Sequence, residues 1–275
     1  MHHITLTTDF GTRDWFVGTM KGVIARIAPT TRIIDLTHEV TPGEIRAGAF
    51  ALRASYRFFP KGTVHVVVVD PGVGSARKAI AVQTADCFFV GPDNGVLSWA
   101  LAREKVKAVH LITNADYFLK PLSRTFHGRD VFAPVAAHLS RGVPIHKFGP
   151  KIRDFIKLDW PAPRAQRAKR DRTFKRDSTA VQGEIIYVDR FGNAISNLDA
   201  ASLPHPAHGP VEVISKGRRV CTLAEFYGAV PIGKPVAVMG SSGLLEIAVN
   251  DGSAARKLRL RVGDLLIVRP RPNKL

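Results

Sequence analysis

The chain has 275 residues, 45% hydrophobic and 23% charged, with 40 Lys and Arg against 23 Asp and Glu. That is a globular balance, long enough for one large domain or two modest ones, each able to bury a core. No run of about 18 apolar residues occurs, so no membrane span is expected. The N-terminus enters a strand pattern directly, without a basic and then apolar leader, so secretion is not expected. Cys87 and Cys221 sit far apart in apolar segments. They make neither a disulfide framework nor a zinc site, and read as buried free thiols of a cytoplasmic protein.

The net charge is +17, and the stretch from Pro161 to Ser178 is dense in basic residues, with seven Lys and Arg opposed only by Asp171 and Asp177. A solvated linker fits this composition. A nucleic-acid contact is the sharper alternative, but Phe174 stands alone where a stacking platform needs several aromatics. Nucleic acid is therefore not the expected partner.

In chain order, Ile4–Thr8 reads as a strand, and Val17, Met20, Ile24 and Ile27 recur at helical spacing. Arg32–Leu36 is a second strand. Glu44–Tyr56 is a helix with Thr41 as its cap. Thr63–Val69 is a third strand, apolar but for His65. Ala79–Thr84 and Cys87–Val90 form a hairpin, Val96–Arg103 a helix, Ala108–Ile112 a strand and Asp130–Ser140 a helix. Apolar strands alternating with amphipathic helices predict a mostly parallel sheet flanked by helices, an α/β domain spanning residues 1–165. Its ligand should gather at the carboxyl ends of the strands. Three polar turns fall there, Asp9-Phe10-Gly11, Asp70-Pro71-Gly72 and Asp93-Asn94-Gly95. Beyond a basic linker at 166–180, short strands at Glu184–Val188, Val211–Ser215, Arg218–Thr222, Pro235–Met239, Leu244–Val249 and Leu265–Val268 predict a small β-barrel domain over 181–275.

Asp70 and Arg77 put an acid and a guanidinium on one glycine-rich turn, where they would orient a small nucleophile such as water. His127, in Thr125-Phe-His-Gly-Arg-Asp130, opens a second polar cluster. These three are the candidate reacting set. Each also has a plainer reading: an Asx-turn residue, its salt-bridge partner and a helix-start histidine. Asp9 either caps the following helix or accepts the two hydroxyls of a ribose. Asp189-Arg-Phe-Gly-Asn193 is a tight turn or a recognition loop, with Asp for an ammonium and Asn for a purine edge. Ser241 and Ser242 suit a carboxylate or a β-turn. Phe226 stacks on a base or fills the barrel core. Gly72-Val-Gly74 is only the start of a dinucleotide fingerprint, and no P-loop occurs. No metal-binding spacing occurs, so neither metal nor cofactor is expected.

Taken in order, these pieces resemble the S-adenosyl-L-methionine hydroxide adenosyltransferases, relatives of the fluorinases and chlorinases. The matching motifs are Thr8-Asp9-Phe-Gly-Thr-Arg-Asp14-Trp-Phe-Val-Gly, Asp70-Pro-Gly-Val-Gly with Arg77, Gly91-Pro-Asp-Asn94-Gly, Thr125-Phe-His127-Gly-Arg-Asp, Asp189-Arg-Phe-Gly-Asn193 and Ser241-Ser242-Gly-Leu-Leu-Glu246-Ile-Ala. The resemblance implies an N-terminal α/β domain, a C-terminal barrel, and homotrimers with sites between neighbouring subunits. It implies attack on C5′ of S-adenosyl-L-methionine with release of methionine. Asp70, Arg77 and His127 would handle water. Asp9 would hold the ribose diol, Asn193 the adenine edge and Phe226 its face. Asp189 would bind the methionine ammonium, and Ser241 with Ser242 its carboxylate. Asn94 and Glu246 join the substrate-binding set through their motifs.

Halogenating relatives carry Tyr where Asp70 stands, and the fluorinase carries Ser where Gly128 stands. A sulfonium leaves as a neutral thioether and needs no acid, whereas water needs alignment and a proton acceptor. A carboxylate at the nucleophile site repels halide. The expected function is hydrolysis to adenosine and methionine. The alternatives are a halogenase and a non-enzymatic nucleoside or nucleic-acid binder.

Overall fold

The computed structural model describes residues 3–166, 180–204 and 209–271. It divides into two compact units, residues 1–159 and 160–275.

The first unit is built on a sheet of β1 (His3–Thr8), β2 (Arg32–Thr37), β3 (Val64–Val68), β4 (Ala79–Thr84), β5 (Phe88–Pro92), β6 (Val106–Leu111) and β7 (Lys151–Ile152), in the order β2-β1-β3-β5-β4-β6-β7. The β1–β2, β1–β3 and β3–β5 pairs are parallel. The β4–β5, β4–β6 and β6–β7 pairs are antiparallel. The sheet is therefore mixed, not mostly parallel. The cause is the short link from Ala85 to Cys87, which closes a hairpin but is far too short for a parallel crossover.

Both faces of the parallel half are covered. Val64, Val66 and Val68 of β3 enter one core with Met20 and Ile24 of α1 (Phe16–Ile27) and Val135 of α4 (Ala133–Ser140). Val67 and Val69 enter the other core with Leu52 of α2 (Ile45–Ser55) and Leu97. Two covered faces explain why β3 reads as an unbroken apolar run. Its exception, His65, is buried against Thr5 Oγ1 at 2.7 Å and the rings of Tyr56, Phe59 and Phe89. Burial lowers its imidazole pKa to about 3, so it stays neutral.

Helix starts differ from expectation. α2 begins at Ile45, and Thr41 contributes its carbonyl to the Glu44 N–H rather than a capping hydroxyl. The predicted helix at 96–103 shrinks to α3 (Ser98–Leu101). The one predicted from Asp130 opens instead with a π-helical turn over Gly128–Phe132, and α4 follows it. β1, β3 and β5 are neighbours running the same way, so the Asp9, Asp70 and Asp93 turns leave one edge of the sheet together.

The second unit is an antiparallel sheet of β8 (Arg164–Gln166), β9 (Ala180–Val188), β10 (Ala194–Asp199), β11 (Val211–Ser215), β12 (Arg218–Thr222), β13 (Pro235–Met239), β14 (Leu244–Val249) and β15 (Leu265–Pro270). The order is β12-β11-β15-β9-β10-β14-β13, with β8 beside β9. A bridge between Leu223 and Ala237 brings the two end strands together, so the sheet is nearly closed and barrel-like. Ile185, Ala194, Leu198, Val213, Leu245, Ile247 and Leu266 fill its core. A short helix, α5 (Ala254–Lys257), follows β14. β10 is absent from the sequence reading because Ser196 and Asn197 look like loop residues. Both are buried: Ser196 Oγ donates to the Leu245 carbonyl and Asn197 Oδ1 accepts the Glu184 N–H. The basic stretch, residues 167–179, lies outside the described residues.

Cys87 and Cys221 are buried free thiols. Burial is the main cause that raises their pKa values, to about 11 and about 12.

Candidate active site

Asp70 lies just beyond β3, and Arg77 returns from the same glycine turn. Arg77 Nε donates to both Asp70 oxygens, at 3.0 and 2.9 Å, and Nη2 donates to Oδ2 at 2.5 Å. The side chains are 10% and 4% exposed, so this pair is sheltered from solvent screening. Arg77 also sits over the Phe132 ring, 5.3 Å from its centroid, which fixes the guanidinium plane from below.

The same Nη2 reaches His127 Nδ1 at 2.8 Å. A guanidinium only donates, so Nδ1 accepts and the imidazole proton sits on Nε2. Burial lowers the His127 pKa, and the Arg77 charge lowers it further against the opposing pull of Asp70 and Asp130. His127 is thus a neutral ring whose free edge is an N–H.

Two devices hold these residues together. Gly74, at φ +77°, packs so tightly on the Arg124 carbonyl that a Cβ would stand 2.3 Å from the oxygen. That contact seats the Asp70–Arg77 turn on the segment leading to His127. Asp130, fully buried, accepts the Ser123 N–H at 2.8 Å and two donors of Arg129. It closes the 123–130 loop, and the π-helical turn begins at Gly128, right after His127.

Asp70 and His127 line a cavity of about 300 Å³, with Asp9, Phe10, Pro71 and Phe126 among its other walls. Asp9 does not cap the following helix: α1 starts at Phe16, with Trp15 at its cap position. Its Oδ2 accepts the Gly43 N–H at 2.8 Å instead. Burial raises the Asp9 pKa despite that bond, and the Asp70 charge adds to the rise. Gly128 sits close to its neighbours: a Cβ there would stand 3.2 to 3.3 Å from the side chains of Met20, Phe10 and Phe126. Asn94 does not join this wall. Its Nδ2 donates to the Val69 carbonyl and its Oδ1 accepts the Val96 N–H, tying two strand ends together.

In the second unit, Asp189 and Asn193 close one turn. Asp189 Oδ1 accepts the Asn193 backbone N–H at 2.8 Å and Oδ2 accepts its Nδ2 at 3.0 Å. Asn193 therefore keeps its amide oxygen for another donor. Glu246 accepts the Tyr227 hydroxyl through Oε1. Burial raises the Glu246 pKa, the tyrosine opposes this, and the Asp189 charge adds to it. Burial and that same bond push Tyr227 up to about 12. Phe226, next to Tyr227, is 59% exposed and does not fill the barrel core. Ser241 is exposed. Ser242 Oγ is buried with no partner among the described residues.

The sequence reading missed Gly43, Gly74, Phe132 and Tyr227. Gly74 was visible as part of Pro-Gly-Val-Gly, but the carbonyl it meets is 50 residues away. Nothing local marks Phe132 as the floor beneath an arginine.

Comparison with known proteins matches this layout. Residues 4–149 match the SAM hydroxide adenosyltransferase N-terminal domain, and residues 183–267 its C-terminal domain. An (R)-S-adenosyl-L-methionine hydrolase from Salinispora tropica is 39% identical over 266 residues, covering 96% of this chain and 97% of its own. A fluorinase from an Actinoplanes species is 24% identical over 290 residues, covering 94% and 95%. The crystal structure of an uncharacterized conserved protein from Thermotoga maritima superposes with a TM-score of 0.85 at 37% identity, covering 96% of this chain and 99% of that one. With both domains matched in order along one chain, this protein belongs to the SAM hydroxide adenosyltransferase family.

Proposed function

We propose that the protein hydrolyses S-adenosyl-L-methionine to adenosine and L-methionine, taking the (R) sulfonium form named for its hydrolase relatives. The observation that carries this reading is that Asp70 and His127, bridged by Arg77, line a cavity that Asp9 also lines.

Water attacks C5′ in line with the departing sulfur. The C5′–O bond forms as the C5′–S bond breaks, and both electrons of the latter go to sulfur. The sulfonium becomes the neutral thioether of methionine, so the leaving group needs no acid. One water proton must go. Asp70 accepts it or aligns the water by accepting a hydrogen bond. His127, neutral with Nε2–H outward, donates to the water oxygen and fixes the lone pair aimed at C5′. Arg77 is occupied by its two partners and acts by orienting them. No cofactor enters this scheme.

Asp9 holds the ribose diol. In the second unit, Asn193 offers its free amide oxygen to the adenine amino group and Phe226 its exposed face to the ring. Asp189 takes the methionine ammonium, and the unpartnered Ser242 hydroxyl with Ser241 takes the carboxylate. Asn94 and Glu246 support these groups through the backbone and Tyr227. Each site is completed by the neighbouring subunit of a homotrimer, and the enzyme works in the cytoplasm.

A halogenase reading is disfavoured by the Asp70 carboxylate, which repels halide. Asp70→Asn tests the role: turnover falls about 100-fold or more while substrate affinity is retained. Unchanged adenosine release would remove Asp70 from the chemistry.

A further inference from the structure

His38 is buried and takes no part in the chemistry above, yet it stands in a line of polar contacts from the surface to the Asp9 turn. Lys21 Nζ lies 2.5 Å from Asp35 Oδ2. Asp35 Oδ1 lies 3.0 Å from His38 Nε2, and His38 Nδ1 lies 2.8 Å from Thr8 Oγ1. Thr8 Oγ1 in turn accepts the Phe10 N–H at 3.2 Å, across Asp9. The His38 carbonyl accepts the Gly11 N–H at 2.7 Å from the far side of the turn.

The register explains how the imidazole gets there. Along β1 and β2, Leu6 pairs with Asp35 but Thr7 pairs with Thr37, so Leu36 is an extra residue. In step with that slip, Thr8 comes level with His38. Without it, Thr8 would face Thr37 and the imidazole would turn to the other side of the sheet. Nε2 lies within ion-pair distance of the Asp35 carboxylate but makes no aligned hydrogen bond to it, so Asp35 acts through its charge, favouring the proton on Nε2 and leaving Nδ1 to accept the Thr8 hydroxyl, whose lone pair is then aimed at Phe10.

We propose that His38, oriented by Asp35, is a positioning residue that fixes the 8–11 turn through Thr8 and Gly11 and so aims the Asp9 carboxylate at the ribose diol. This rests on the reading of Asp9 given above.

The test is calorimetric binding of two nucleosides, adenosine and 2′,3′-dideoxyadenosine, to the full chain and to His38→Gln, Asp35→Asn, Asp9→Asn and the double variant H38Q/D9N. The unsubstituted protein is expected to prefer adenosine. His38→Gln and Asp35→Asn should each weaken adenosine about tenfold and leave the dideoxynucleoside unchanged. In the Asp9→Asn background, His38→Gln should add no further loss, because both act through one carboxylate. Equal weakening of both nucleosides, additive losses, or no effect would overturn the proposal and leave His38 a residue of the fold. Should His38→Gln fail to fold, Asp35→Asn carries the test, since that carboxylate is 38% exposed and its loss spares the core. If the unsubstituted protein binds adenosine no better than the dideoxynucleoside, the Asp9 reading fails and His38 falls with it. If it discriminates and both variants do so equally well, only the His38 proposal falls.

Discussion

His127 owes its tautomer to Arg77. The guanidinium occupies Nδ1, so adding a proton there would set two cations 2.8 Å apart. Its folded pKa lies below the ordinary 6.5, chiefly from burial and then from Arg77. A histidine depressed in this way contributes stability that is fully present above 6.5 and is lost as pH falls through its folded pKa. The acid limb of kcat/KM should therefore fall below pH 6.5 and should disappear in His127→Asn. A limb at or above 6.5 would mean that burial and Arg77 do not hold the ring neutral. At this scale the sequence carried the identities of Asp70, Arg77 and His127, because each ends or begins an element in a short polar motif. It did not carry their order of contact, with Arg77 in the middle. It also left Asp9 open between a cap and a binding residue. The six residues between Asp9 and the first turn of α1 rule out the cap. The Asn94 motif is legible in the chain, but its amide is committed to Val69 and Val96, which only the folded turn reveals.

The elements matter to the site through their ends. Three adjacent parallel strands deliver the Asp9, Asp70 and Asp93 turns to one edge, and alternation of apolar strands with helices was enough to predict that. The antiparallel half was foreshadowed by the hairpin at 79–90, whose two strands need no crossover helix between them. What local pattern did not carry is the coupling between turns. Gly74 locks the Asp70 turn to Arg124, in a left-handed conformation and with no room for a side chain. Gly74→Ala should cost about 2 kcal/mol or more in chemical denaturation and should lower turnover with it. A variant of unchanged stability would show that the two loops are not clamped there. β10 was missed for a related reason. Its polar residues satisfy neighbouring strands, and that is a property of the partners rather than of Ala194–Asp199 itself.

At the scale of the molecule, the proposed reaction draws on both units. The first holds Asp70, Arg77 and His127, the proposed water-handling set, together with Asp9. The second holds Asp189, Asn193 and the exposed Phe226. The proposed trimer joins one subunit's first unit to its neighbour's second. Subunit mixing follows from that arrangement. Asp70→Ala and Asp189→Ala, each inactive alone, should regain activity when dissociated and reassembled together. For random mixing in equal amounts, about a quarter of the sites would be intact. No recovery would place each site within one chain. The motif order along nearly the whole sequence made the family legible, while the charge of +17 pointed nowhere by itself. No helix among the described residues is long and apolar enough to cross a membrane.

The central claim is that water attacks C5′, and the most direct measurement is turnover of S-adenosyl-L-methionine in ¹⁸O-water, with and without chloride or fluoride. The account predicts methionine without label and adenosine with one ¹⁸O at its 5′ oxygen, at a rate that halide does not raise. Unlabelled adenosine, no adenosine, or a dominant 5′-halo product would contradict it.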